Sequence, residues 1–225
     1  TVGGSEGIDL ALRTMLEPGE EVLIPEPSFV SYKPCTVLAG GVAVPIPLKA
    51  ENEFRLTAEE IEQYVTEKTK VIIIPFPNNP TGAIMTREDL ESIAKVILKY
   101  DLFVLSDEIY AELTFGSEHV SIASIEGMKE RTVIINGYSK AYAMTGWRLG
   151  YIAAPVELVQ ACEKYQSQYT SGANSIAQKA GVAALLGDMA PTLKMVEAYK
   201  QRRDYVVTAL RAIPHVKCAM PDGAF

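Results

Sequence analysis

Apolar positions along this chain switch between two periods. Ile8, Leu12, Met15 and Leu16 recur at i, i+4, i+7 and i+8, one face of a helix over Ser5–Glu17 that Pro18 and Gly19 close. Glu20–Pro25 then reads as a buried strand, Phe29–Ala39 as a helix and Gly41–Leu48 as a second strand. Thr57 with Glu60 forms a capping box that opens a short helix. Lys70–Pro75, a strand with four apolar residues in a row, has the look of a parallel-sheet strand buried on both faces. Thr86 caps a helix whose apolar face is Leu90, Ile93, Ala94, Ile97 and Leu98. Leu102–Asp107, Thr132–Asn136 and Leu149–Ala154 read as further strands. After Pro155 the pattern turns helical, over Val156–Tyr169, Ser175–Leu186 and a long run from Met189 to Ile213.

Strands alternating with helices predict an α/β fold, a three-layer αβα arrangement around a mostly parallel sheet. Ligands of such sheets sit beyond the carboxyl ends of the strands, so polar residues just after strands are the ones to examine. The start, TVGG, reads like the end of a strand already under way, and the last residues, PDGAF, like an extended run cut in mid-course. The expectation is a fragment of a longer protein.

Composition narrows the function classes. With 48% hydrophobic and 22% charged residues among 225, the chain can build a sizeable core. Its net charge of −7 carries no basic cluster, which argues against nucleic acid. Cys35, Cys162 and Cys218 make no CxxC pair, and with two histidines a zinc site is not expected. Free thiols without a leader fit a reducing cytoplasm, and no apolar run approaches the roughly 18 residues of a membrane span.

Candidate chemistry lies between the strands. Asn136–Tyr151 holds Lys140 among small residues (Gly137, Ser139, Ala141), with Arg148 following. A lysine that attacks a carbonyl must lose its proton near neutral pH, far below its ordinary value of about 10.4. Arg148 either lowers that value as a cationic neighbour or holds an anion beside the lysine. Thr1–Gly7, glycine-rich before a helix, is either a tight turn or a phosphate cradle, and its spacing is not GxGxxG. Without that spacing, or an acidic residue at the usual distance, a nicotinamide dehydrogenase is disfavoured. Pro77–Gly82 is a turn in which Asn79, before Pro80, is extended or cis. Asp107 ends an apolar run, where it either caps the next turn or meets a cation. Tyr110 follows three positions later, and Phe29 after Pro-Glu-Pro-Ser is either core or a ring against a ligand.

Taken together and in this order, these segments resemble the class I/II aminotransferases, pyridoxal phosphate enzymes of fold type I. The matching stretches are Gly137–Gly150, AsnProThrGly (Asn79–Gly82) and AspGluIleTyr (Asp107–Tyr110). The likeness runs over essentially the whole chain. Within the family it looks most like bacterial aromatic and N-acetyl-diaminopimelate aminotransferases.

The resemblance implies a role for each residue. Lys140 would form the internal aldimine and then move the proton between the substrate's Cα and the cofactor's C4′. Asp107 would pair with the pyridinium nitrogen, while Tyr110 and Asn79 would bond the phenolic oxygen. Phe29 would stack on the ring. Backbone N–H groups of Gly4, Ser5 and Glu6, with Arg148, would hold the phosphate. Many relatives carry a serine where Gly137 stands, which leaves open whether Ser139 takes that contact.

The resemblance further implies a ping-pong transfer of an amino group from an amino acid to a 2-oxo acid, by a homodimer. It divides the chain into a cofactor-binding large domain, 1–188, and a linker helix with the first strand of a small domain, 189–225. Carbon–sulfur lysis or decarboxylation on the same scaffold is one alternative. A fragment that binds cofactor without turnover is the other.

Overall fold

The computed structural model describes residues 1–224. Its centre is a six-stranded sheet in the order β2-β1-β3-β4-β5-β6. The strands are β1 (Glu21–Glu26), β2 (Val42–Pro47), β3 (Thr69–Ile74), β4 (Phe103–Asp107), β5 (Thr132–Gly137) and β6 (Gly150–Ala153). All neighbours pair parallel except β5 and β6, which are antiparallel. The fold class expected from the pattern is therefore the one observed.

Side-chain alternation sends β-residues to two separate cores. Leu23, Ile72, Ile74 and Val104 face one side, under the helices α3 (Ala58–Tyr64) and α4 (Arg87–Lys99). Val22, Ile73, Leu105, Val133 and Ile135 face the other, under α1 (Gly4–Met15) and α2 (Tyr32–Leu38). The helix α5 (Val156–Tyr169) packs on the outside of α1. Two more helices, α6 (Ser175–Leu186) and α7 (Ala190–Arg211), complete the chain and leave many apolar residues exposed, Leu186, Ile176 and Tyr205 among them.

Local chemistry explains most element boundaries. Thr57 and Thr86 both form full capping boxes, with Glu60 and Asp89 as the returning carboxylates. The helix expected from Phe29 begins instead at Tyr32. Pro34 lacks an N–H and is tolerated only in a first turn, so the helix has to start just before it, which leaves Phe29 in the preceding turn. Leu98, expected on the buried face of α4, is 40% exposed and leans over Gly127, while Val96 is buried.

At the chain start, Thr1 exchanges hydrogen bonds with Gly150 of β6, its ammonium donating to the Gly150 carbonyl at 2.8 Å. Among the described residues, the segment read as the first strand of a small domain makes one isolated β-bridge, Gly223 to Thr114. Phe225 lies outside the described residues.

Candidate active site

Five parallel strands end at one edge of the sheet, and the antiparallel β6 begins there. The loops after β1, β3, β4 and β5, the last of which leads into β6, therefore meet at that edge, together with the N-terminus of α1. They enclose a cavity of about 200 Å³.

Of the ten residues singled out in the sequence, nine line it: Gly4, Ser5, Phe29, Asn79, Asp107, Tyr110, Ser139, Lys140 and Arg148. The tenth, Glu6, does not. Its carboxylate accepts from the Val2 backbone, from Gln166 and from Thr170, which ties the first turn of α1 to α5.

Close backbone contact brings the cavity's far wall in. Gly137 and Gly150 are register partners across β5 and β6, and a Cβ at Gly137 would stand 2.8 Å from the Gly150 Cα. A Cβ at Gly150 would stand 2.9 Å from the Gly3 carbonyl carbon. Three backbones thus touch where α1 starts, next to the loop that carries Lys140 and Arg148. A serine at 137 has no room for its Cβ, while Ser139, two residues on, lines the cavity. Arg148, at φ 52°, donates through Nη1 to the Thr145 carbonyl at 2.9 Å. Its guanidinium lies where a Cβ on Gly3 would be, 2.5 Å from Nη2.

Asp107 forms the floor. It is buried, and burial pushes its carboxyl above the ordinary range. A hydrogen bond from the Tyr32 hydroxyl at 2.8 Å, one from the Ile109 N–H at 3.2 Å, and the charge of Lys140 oppose that shift without cancelling it. Tyr110 is pushed up to about 12 by burial and then by the Asp107 charge, against a bond from Asn79, so it is a protonated donor at neutral pH. The Lys140 ammonium lies 5.3 Å from the centre of the Tyr110 ring. Phe29 meets Tyr32 edge-on, with centroids 5.7 Å apart.

Tyr32, Ile8, Ile109, Pro75, Pro77 and Thr145 also line the cavity and were not anticipated. Tyr32 opens α2 and reads from the sequence as an ordinary core tyrosine. Thr192 was not anticipated either; its hydroxyl donates to the Ala141 carbonyl at 2.7 Å and anchors α7 to the Lys140 loop.

The cavity thus gathers an arginine, a helix N-terminus, a buried carboxylate and a lysine. The pattern of the family described as "Aminotransferase class I and II" matches residues 1–225. The chain belongs to that family. An aspartate aminotransferase of Musicola paradisiaca is 43% identical over 224 residues, which cover 99% of this chain and 56% of the relative. Aromatic-amino-acid aminotransferase 2 of Thermococcus litoralis is 45% identical over 230 residues, covering 100% and 58%. Among solved structures, the aspartate aminotransferase of Rhizobium meliloti superposes with a TM-score of 0.98 at 38% identity, over 100% of this chain and 57% of that one. This family member therefore spans somewhat more than half the length of the relatives it matches. No described helix is long and apolar enough to cross a membrane.

Proposed function

We propose that this chain holds pyridoxal phosphate in the cavity at the strand ends, and that the protein moves an amino group from an amino acid to a 2-oxo acid. The observation that carries the reading is the convergence on one cavity of Asp107, at the end of β4, with Lys140 and Arg148 from the loop between β5 and β6. The donor set fits the cofactor. The Arg148 guanidinium over Gly3, beside the free N–H groups of Gly4, Ser5 and Glu6, suits a phosphate. A buried carboxylate whose proton is held too tightly suits a cationic ring nitrogen.

When bound, pyridoxal phosphate supplies a carbonyl that condenses with amines and a ring that takes up the electron pair left at the amino acid's α-carbon. The protein's residues do the rest. Asp107 would keep the ring nitrogen protonated, Tyr110 and Asn79 would donate to the phenolic oxygen, and Phe29 would lie against the ring. Ser139 would add a hydroxyl for the phosphate. Lys140 Nζ would carry the proton from the substrate α-carbon to the cofactor in one half of the cycle and the opposite way in the other. Amino acids and 2-oxo acids then use the same site in turn. The names of the relatives point to aspartate and aromatic amino acids as the classes to try first. We read 1–188 as the cofactor-binding unit and the working form as a homodimer, which sedimentation of the purified protein checks.

The test is to add pyridoxal phosphate, reduce with borohydride and find the modified peptide by mass. The proposal expects a pyridoxyl adduct on Lys140. An adduct spread over surface lysines, or none at Lys140, overturns it.

A further inference from the structure

Directly behind the cavity floor, on the other face of the sheet, lies a second buried carboxylate that the proposed chemistry does not use. Glu108 follows Asp107 and is only 5% exposed. Ser106, two residues back and on that same face, donates to its Oε1 at 2.9 Å. Ser121 donates to the same oxygen at 2.6 Å from 13 residues further along the chain. His119 Nε2 lies 3.0 Å from the other oxygen.

These contacts tie both ends of one excursion of the chain together. It leaves β4 at Asp107, turns sharply, and returns to the α3–α4 side, where Ile122 is buried in the core. The turn itself is held by backbone bonds from Glu108 N–H to the Ile135 carbonyl, from Ala111 N–H to Glu108 and from Leu113 N–H to Tyr110. Asp107 precedes Glu108 and Tyr110 follows it by two, and both line the cavity. A buried carboxylate saturated by partners holds its place firmly, whereas one that loses a partner has to seek solvent.

We propose that His119 and Ser121 are positioning residues: by closing on Glu108 they fix the turn that aims Asp107 and Tyr110 into the cavity. Its effect on cofactor rests on the reading of the cavity given above; its effect on the turn does not. A pin that served only overall stability would loosen the whole sheet when broken, not this turn.

The experiment compares the purified 225-residue protein with His119→Ala, Ser121→Ala and His119→Gln. In the last, an amide nitrogen replaces the imidazole Nε2. Hydrogen–deuterium exchange without cofactor reads the turn directly. His119→Ala and Ser121→Ala are expected to speed exchange of the amides of Glu108, Ala111 and Leu113 at least tenfold, while β3 is unchanged. His119→Gln is expected to recover most of the protection. Pyridoxal phosphate affinity, read from the fluorescence of the single tryptophan, Trp147, is expected to weaken about tenfold in the two alanine variants and to recover with glutamine. Unchanged exchange at the turn, or equal acceleration in the turn and in β3, overturns the proposal. So does altered exchange with unaltered affinity, as far as cofactor is concerned. If the unsubstituted protein binds no pyridoxal phosphate, the cofactor reading fails and the exchange result alone decides the positioning role.

Discussion

Asp107 and Glu108 are neighbours in sequence, both buried, on opposite faces of the same sheet, and their proton affinities move in opposite directions. Burial raises both. At Glu108 the contacts from His119, Ser121 and Ser106 outweigh burial and hold the carboxyl below its ordinary range. At Asp107 the bonds from Tyr32 and Ile109, the two next contributions after burial, do not. The partners of one carboxylate outweigh its burial; those of the other do not, and it faces a cavity. A site built for a cationic ligand has that imbalance, and the saturated site next to it keeps the turn in place while the imbalance persists.

Substituting each carboxylate breaks the comparison most sharply. Asp107→Asn removes the partner of the proposed ring nitrogen. Such a pair is worth about 4 kcal/mol at roughly 4 Å and an effective dielectric of about 20, before desolvation. Amino-transfer turnover is therefore expected to fall up to about a thousandfold, while urea unfolding of the cofactor-free protein shifts by less than about 1 kcal/mol. Glu108→Ala should do the reverse to stability. It leaves Ser106, Ser121 and His119 facing an empty acceptor position, and urea titration should show a loss of about 3 kcal/mol. Equal stability losses in the two variants would remove the contrast.

Gly137→Ser tests the wall rather than the floor. Its Cβ would meet the Gly150 Cα at 2.8 Å, so β6 has to shift, at about 2 kcal/mol in thermal unfolding. A serine tolerated there without loss would show that β5 and β6 have slack. Tyr32→Phe is smaller, about 1 kcal/mol at neutral pH. It should move the Asp107 carboxyl further up, and the stability difference should shrink as acid protonates that carboxyl.

The pH dependence carries the comparison's sign. Glu108, held low in the folded state, contributes stability that is complete above its unfolded value and is lost as pH falls through its lower folded value. Asp107, held high, binds its proton more tightly when folded, so stability falls as pH rises through the window just above its ordinary value. Acid unfolding curves of Glu108→Gln and Asp107→Asn should lose these two slopes one at a time.

Much of this was legible in the sequence, and the reasons are specific. The buried run through Ile74 and the capping residues Thr57 and Thr86 are local signals, and the elements they mark form where the pattern places them. Lys140, Asp107 and Asn79 stood out because their chemistry is costly or conspicuous just after a strand. Tyr32 did not, because a tyrosine on a helix reads as core until its hydroxyl finds Asp107, 75 positions away. The stack of Gly3, Gly137 and Gly150 was equally hidden, since close approach of three backbones is a property of strand register. Glu6 was read by its backbone, and the side-chain bonds to Gln166 and Thr170 depend on where α5 packs.

The most direct test is a carbon-13 NMR titration of the Asp107 and Glu108 side-chain carboxyls, with the protein alone and with pyridoxal phosphate. The account predicts Asp107 above the ordinary aspartate value, Glu108 below the ordinary glutamate value, and a fall at Asp107 alone once cofactor is added. An Asp107 carboxyl at or below the ordinary value in the protein alone, or one that cofactor leaves unmoved, would contradict it.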